Sequence, residues 1–369
     1  MKTLLVIANA GFSGAEKQLL MIAEGLSKKD FDVTVCNLEG YGLFYEEFNK
    51  TSLNKLVVIK RRHKFDLIRF FNFGYHLSKT KYDIVISFGY VSNNLTRIYK
   101  ALNPFLGFIH IAGERGRDIK TKNLFNLIDS YLSTYSDVIV SNSKIQKDKL
   151  IRVENIKPPL IKVINNGFEL SNLKNINLVN FQEQFGIPKV NKVVCSIGNL
   201  SKHKNIPMFL NVAEKIISSR NDVSFIYIGD GPKLKKYKEE VKKRGIDSNL
   251  LFLGRRNDVL SILAMSDIFI LTSSWEGMPN VLIEAMFSKL PVVCTSVDGA
   301  REIITNQING FLVELDNIDE MINKIYFLLD NEESSLKVGE SGYNLAKSLF
   351  NSETMVDSYI QLINQKMLK

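Results

Sequence analysis

Short apolar runs alternate with longer amphipathic stretches along the whole chain, which is the pattern of parallel strands joined by crossover helices. In the first half, apolar runs at 4–8, 33–38, 56–59, 84–88, 105–111, 138–141 and 162–164 predict strands. Helical spacing over 15–26, 65–77 and 124–135 predicts helices between several of them. A polar, Asn-rich stretch from 169 to 180 breaks the alternation, and Gly186, Ile187 and Pro188 mark a turn before it resumes. The second half repeats the scheme, with strands at 193–197, 224–228, 250–253, 268–272, 292–295 and 311–313. Helical periodicity over 318–329 and 353–367 closes the chain.

The expected fold class is α/β: two Rossmann-like, doubly wound domains facing each other across a cleft, over 1–175 and 188–348. A last helix within 350–369 is expected to return to the first domain. In an open parallel sheet, ligands bind beyond the carboxyl ends of the strands, so the residues just after each strand are the ones to inspect.

Composition agrees with this reading. A chain of 369 residues, 45% hydrophobic and 24% charged, is globular, and at roughly 150 residues per domain it holds two domains. The net charge of +9 suits a polyanionic partner, although Lys and Asn are abundant throughout. No basic run carries the aromatic interleaving or helix-turn-helix pattern of a nucleic-acid reader, so nucleic acid is not expected as a partner. Peripheral contact with an anionic membrane fits better. Cys36, Cys195 and Cys294 lie far apart, each in or at the end of an apolar run, as buried thiols do in a reducing compartment. Lys2, the apolar stretch 3–8 and the small pair Ala8 and Ala10 imitate a short signal peptide, but the helical pattern that opens at Gly11–Glu16 favours a first buried strand. No apolar run reaches the roughly 18 residues of a spanning helix. A cytoplasmic protein is expected, either free or peripheral on the cytoplasmic face of a membrane.

The most specific chemistry lies in the segment 274–286, directly after a strand. Pro279 suits the first helical position, where its fixed φ helps and its missing N–H is no loss. Within one helix, Glu276 and Glu284 would point about 80° apart. With Glu276 in the preceding loop, both can face one ligand. Gly277 and the backbone N–H groups of Met278, Asn280 and Val281 then lie at the positive end of the helix, where a phosphate is attracted. The alternative is a solvated glutamate pair around an ordinary helix start. A second segment, Gly198, Asn199, Leu200, Ser201, Lys202, His203 and Lys204, follows the first strand of the second domain, and as chemistry it is a cationic loop or simply a basic surface loop. Two glycine turns follow other strands: Gly11 to Glu16, containing Gly14, and Gly229-Asp230-Gly231-Pro232. Either turn can admit a phosphate closely or be no more than a turn. After the apolar run at 105–111 comes Ala112-Gly113-Glu114-Arg115-Gly116-Arg117, with His110 inside the strand and more fitting as a core histidine than as a catalytic one.

The segment from Glu276 to Glu284 resembles the Glu-x7-Glu motif of retaining glycosyltransferases of the GT-B fold, specifically glycosyltransferase family 4. The resemblance spans nearly the whole chain and implies a donor-binding C-terminal domain and an acceptor-binding N-terminal domain. It implies that Glu276 contacts hydroxyls of the donor sugar while Glu284 grips the nucleotide ribose. The loop at 198–204 resembles the family's Gly-Arg-Leu segment and its lysine, which neutralise the diphosphate. Lys204 falls at the lysine position, but Asn199 stands where the family has arginine and supplies no charge. By the same resemblance, Gly14 belongs to a loop over the donor phosphates, and Gly229 and Gly231 border the nucleobase pocket. Glu114 and Arg115 look like part of a Ser-Glu-Arg-Asn-Asp variant of polysaccharide and glycan-assembly members. They and His110 are then candidate acceptor contacts, with Arg117 beside them.

The implied reaction is transfer of a hexose or N-acetylhexosamine from a nucleotide sugar, UDP-linked by family habit, to a saccharide or lipid-linked saccharide in surface polysaccharide assembly, such as capsule or O-antigen. Retention by front-face attack is implied. No metal or other cofactor is expected, because the only Asp-x-Asp, Asp30-Phe31-Asp32, falls in the corner between the first helix and second strand. Lys204 and helix-end N–H groups take over charge stabilisation. Three other readings stand beside this one. A nicotinamide dehydrogenase requires a third glycine where the Gly229 turn has Leu234. The others are a sugar-nucleotide epimerase on the same fold and a non-catalytic partner subunit, the latter favoured slightly by Asn199.

Overall fold

The computed structural model describes residues 1–12, 14–62, 66–114, 124–169, 181–189 and 191–368. The chain divides into two compact units, Met1–Gly167 with Phe350–Lys369 and Phe168–Leu349.

The first unit is built on seven parallel strands: β1 Lys2–Ile7, β2 Asp32–Asn37, β3 Leu56–Val58, β4 Ile84–Phe88, β5 Ile109–Glu114, β6 Val138–Ser141 and β7 Ile161–Val163. Their order across the sheet is β3-β2-β1-β4-β5-β6-β7, so the direction of winding reverses between β1 and β4. Both faces are covered, which is why these strands read as unbroken apolar runs. Leu5 and Ile7 pack on one side with Leu19, Ile22 and Leu26 of the helix Gly14–Ser27. Leu4 and Val6 pack on the other with Phe73 and Leu77 of the helix Leu67–Thr80. This alternation is the two-residue period of a strand. The first side is completed from the far end of the chain, where Met355, Val356, Tyr359, Leu362 and Ile363 of the helix Ser352–Met367 join the same cluster.

The second unit repeats the plan with β8 Lys192–Ile197, β9 Val223–Ile228, β10 Leu250–Gly254, β11 Ile268–Leu271, β12 Val292–Thr295 and β13 Phe311–Val313. The order β10-β9-β8-β11-β12-β13 puts its reversal between β8 and β11. Phe209, Phe225, Tyr227 and Phe252 form the aromatic centre of its core.

One local expectation is corrected. The strand expected from 105 starts at Ile109, because Pro104–Leu106 forms a 3₁₀ turn and Gly107, at φ 63°, ends it in the left-handed region. Phe105 is thereby left fully exposed. Tyr90–Leu102, for which the sequence reading made no assignment, is a helix with an inverted pattern: Ser92, Asn93, Asn94, Thr96 and Arg97 are its buried residues.

Cys36, Cys195 and Cys294 are free and fully buried, and burial pushes the thiols of Cys195 and Cys294 up to about 12. The folded protein should therefore resist a thiol reagent at about pH 8 and release all three thiols on unfolding in guanidinium. Prompt labelling of the native state would show that these strands are not packed as described.

Candidate active site

In the second unit, β8 and β11 are neighbours across the winding reversal, and the loops beyond their carboxyl ends meet. Past β8 the chain runs through Gly198 and Asn199 into the 3₁₀ turn Lys202–Lys204, ended by Asn205 at φ 48°. Past β11 it runs through Thr272 to Pro279 into the helix Asn280–Phe287. The Lys204 ammonium donates to Glu276 Oε1 at 2.6 Å, and the two side chains are only 11% and 12% exposed. The same oxygen accepts the Ser273 hydroxyl at 2.8 Å. This charge pair lies at the edge of the sheet where a doubly wound fold binds its ligand.

Hydrogen bonds hold the two loops together. Ser274 donates its N–H to His203 C=O at 2.7 Å and its hydroxyl to the same oxygen at 3.2 Å. Thr272 Oγ1 donates to Lys204 C=O at 3.0 Å, and Thr295 Oγ1 donates to Ser273 C=O at 2.5 Å. Gly299 N–H donates to Glu276 C=O at 3.1 Å. The backbone on both sides of the ion pair is thus held in place without the pair itself.

Close approach accounts for the glycines. Lys204 Cε would lie 2.7 Å from a Cβ on Gly198, so the lysine stem crosses this residue where a side chain would stand. Gly229 has φ 151°, and its Cβ would lie 1.8 Å from Gly198 C=O. Gly231 backs onto Leu200, whose N–H donates to Asp230 C=O at 3.0 Å. The turn after β9 is therefore packed directly against the lysine loop.

Burial and charge set the protonation here. Burial lowers the His203 pKa, the Glu276 carboxylate opposes that shift, and Lys204 adds to it. Burial, followed by the Glu276 charge, raises the Tyr227 phenol. Tyr227, Ser273 and Thr295 were not among the sequence candidates. Ser273 and Thr295 follow or end strands, where small hydroxylated residues give only a weak signal, and Tyr227 lies within an apolar run.

Other expected residues have definite places. Pro279 sits one residue earlier than expected: with ψ 94° it is the capping residue, and Asn280 is the first helical one. Leu282 and Ile283 both donate their N–H to Pro279 C=O, at 3.0 and 3.3 Å. Val281 and Glu284 are half-buried on this helix, whereas Met278 is a core residue. Gly277 lies against Gly299, where a Cβ would meet its carbonyl oxygen at 2.6 Å. Asn199 is exposed and accepts the Ser201 hydroxyl at 2.7 Å, so its oxygen serves the loop itself.

In the first unit, Gly14 opens the helix after β1, behind a turn in which Asn9 bonds both Gly11 N–H and Glu16 at 2.9 Å. Glu114 ends β5, is 3% exposed, and accepts Asn93 Nδ2 at 2.9 Å. His110 has no exposure; its ring nitrogens lie 2.8 Å from Ser87 Oγ and 3.3 Å from Ser136 Oγ. It is a core histidine and presents no ring atom to a ligand. Arg115 and Arg117 lie outside the described residues. Sequence reading missed Arg97, a fully buried arginine that donates to Asp129 at 2.8 Å and lies 3.8 Å from Glu114. Its helix buries its polar side, which periodicity alone does not flag. Asp32, from the Asp-x-Asp, starts β2 at the amino edge of the sheet and pairs with Lys55. Among the described residues, no group of three or more His, Cys, Asp or Glu is arranged to hold a metal.

Two family models match most of the chain, Glycosyltransferase Family 4 over residues 12–172 and Glycosyl transferases group 1 over residues 180–345. The chain belongs to glycosyltransferase family 4. A full-length relative of this glycosyltransferase is the UDP-Gal:alpha-D-GlcNAc-diphosphoundecaprenol alpha-1,3-galactosyltransferase of Escherichia coli, 27% identical over 377 residues and covering 96% of this chain and 95% of that protein. The N-acetylgalactosamine-N,N'-diacetylbacillosaminyl-diphospho-undecaprenol 4-alpha-N-acetylgalactosaminyltransferase of Campylobacter jejuni is 28% identical over 218 residues, 58% of this chain and 57% of that one. The HepE protein of Anabaena, solved in complex with UDP-glucose, superposes with a TM-score of 0.88 at 19% identity, covering 99% of this chain and 100% of that one. The glycosyltransferase therefore has the GT-B fold, with two Rossmann-like units.

Two outcomes follow for this glycosyltransferase. Gly229→Ala should cost about 1–3 kcal/mol in urea unfolding, because the loop holding Lys204 must move to admit the methyl group; unchanged stability would contradict the packing described. Burial, reinforced by Arg97 and Lys100, holds the His110 pKa well below its ordinary value. On acidification the unfolded chain takes up this proton and the folded one does not, so stability should fall as pH drops through about 6.5. The fall should be smaller in His110→Gln; an equal pH slope in both proteins would remove His110 as its source.

Proposed function

We propose that this glycosyltransferase moves a hexose or N-acetylhexosamine from a UDP-sugar to a saccharide carried on a lipid diphosphate or growing polysaccharide, with retention of anomeric configuration and without a metal ion. The observation that carries the reading is the Lys204–Glu276 contact of 2.6 Å at the carboxyl edge of β8 and β11. The Escherichia coli relative is named for a UDP-galactose donor and a diphosphoundecaprenol acceptor, and that protein matches this chain over nearly its whole length.

The chemistry follows from charge. Breaking the bond between the anomeric carbon and the diphosphate oxygen leaves negative charge on the diphosphate and positive charge on the sugar ring. Lys204 serves the first, together with backbone N–H groups around Met278, Asn280 and Val281 at the start of a helix. Glu276 serves the sugar: its carboxylate accepts hydroxyl hydrogen bonds and favours the positive ring. Held against Lys204 and Ser273, it is fixed before the donor arrives. Glu284, one helical stretch further on, takes the ribose hydroxyls. The acceptor hydroxyl attacks from the side of the departing diphosphate, which takes up its proton, so no separate protein base is required. Asn199 leaves the site with one fixed cation fewer than the family pattern, which places more of the diphosphate stabilisation on Lys204. The first unit receives the acceptor.

A thermal-shift panel of UDP- and GDP-sugars should give the largest rise with a UDP-sugar, and transfer to a GlcNAc-diphospholipid should proceed in EDTA. Glu276→Ala should lower kcat on the order of 10²-fold with a smaller change in KM. Glu284→Ala should chiefly raise the donor KM. Sugar interconversion with acceptor omitted would replace this reading with an epimerase, and wild-type kinetics in both variants would remove the site assignment.

A further inference from the structure

Charge is scarce at the candidate site for the ligand it is read to hold. Lys204 is paired with Glu276 at 2.6 Å, so the two together carry no net charge. A sugar diphosphate brings a negative charge on each phosphate, and Asn199, at the position where the family carries arginine, is neutral. A further cation close to Lys204 is needed to meet that charge where water is largely shut out.

The Asn199 side chain is tied to a group that can become one. Its Oδ1 accepts the Ser201 hydroxyl at 2.7 Å, and Ser201 Oγ in turn lies 3.0 Å from His203 Nδ1 and 3.5 Å from Nε2. A hydroxyl has one proton to give. Ser201 gives it to Asn199, so in its shorter contact with the ring it accepts. That places a proton on His203 Nδ1 and leaves the lone pair on Nε2. The main chain beneath the ring is held as well, since His203 C=O accepts both the N–H and the hydroxyl of Ser274. The half-buried ring meets Trp275, the residue before Glu276, edge to face with centroids 6.2 Å apart.

The charged groups facing the ring are Glu276, from the loop after β11, and Lys204 on its own turn. Burial holds the imidazole below its ordinary pKa, with Glu276 pulling it up and Lys204 pushing it down. A diphosphate seated beside Lys204 adds negative charge and turns this balance towards the protonated ring. We propose that His203 supplies the charge that Asn199 lacks, neutral in the free protein and binding a proton from solvent at Nε2 when the donor diphosphate arrives. The proposal rests on the donor assignment made above. Its sign follows from linkage: protonation is easier in the bound state, so binding is strengthened by acid and the gain is lost as pH rises through the bound-state pKa. Lys202, exposed on the same turn, stays charged throughout this range and adds no such dependence.

Trp275 is the one tryptophan of the chain, and an imidazolium quenches a neighbouring indole more strongly than a neutral imidazole does. Its emission in the full-length protein should titrate with a midpoint below about 6.5, and saturating UDP should raise that midpoint. His203→Gln should abolish the titration in both states. Between about pH 8 and about pH 5.5 the Kd for UDP should fall roughly tenfold more in wild type than in His203→Gln, the change that a one-unit shift produces. Taking the difference between the two proteins removes the titration of the terminal phosphate of UDP itself. Asn199→Arg should tighten UDP binding most at the alkaline end and flatten the dependence, whereas Lys202→Gln should change Kd by the same factor at every pH. UDP binding with an unmoved Trp275 midpoint, or with equal pH dependence in wild type and His203→Gln, would overturn the role of His203 and leave the donor assignment standing. No UDP binding at any pH would overturn both.

Discussion

The candidate site in the second unit depends on one ammonium–carboxylate contact that is nearly closed off from water. Removing Lys204 and Glu276 from solvent is costly to both ions, and only close mutual geometry offsets that cost. The fold supplies this geometry from backbone rather than from the pair. Carbonyl groups of His203 and Lys204 are tied to Ser274 and Thr272, Ser273 is tied to Thr295, and Glu276 to Gly299. The ions meet because two strand ends are neighbours in the sheet and their loops cannot drift apart. The glycines at 198 and 229 are required for the same reason: the lysine stem and a carbonyl oxygen occupy the space that their side chains would fill.

Much of this was legible in the sequence. Strands buried on both faces produce unbroken apolar runs, so β1, β2, β4, β6 and most of the second sheet stand out from periodicity alone. The Glu276–Glu284 spacing and the position of Lys204 pointed to the segments that the structure brings together. Boundaries were less legible where one residue overrides a run. Pro104 and Gly107 delay β5 although Phe105, Leu106 and Phe108 are as apolar as the strand itself. Pro279 caps its helix rather than beginning it, a shift of one residue that propensity cannot resolve.

The harder failures share one cause. Helix Tyr90–Leu102 buries Ser92, Asn93, Asn94, Thr96 and Arg97, so a reading that assigns apolar residues to the inside sees no helix there. What makes that interior acceptable is pairing across sequence: Arg97 meets Asp129, Ser136 and Asn94, and Asn93 meets Glu114 and Ser87. Asp129, Ser136 and Glu114 lie outside the local window that a periodicity argument examines. Asn199 is a related case. Its neutrality is plain in the sequence, but that its oxygen is occupied by Ser201 could be learned only from the loop's conformation.

The docking of the last helix has a consequence for how the chain matures on the ribosome. Met355, Val356, Tyr359, Leu362 and Ile363 complete the apolar cluster against Leu19, Ile22 and Leu26, from more than three hundred positions downstream. One face of the earliest sheet therefore stays unsealed during the entire synthesis of the second unit. Vectorial folding, in which each domain finishes as it emerges, is closed to this protein: the half translated first is the half completed last.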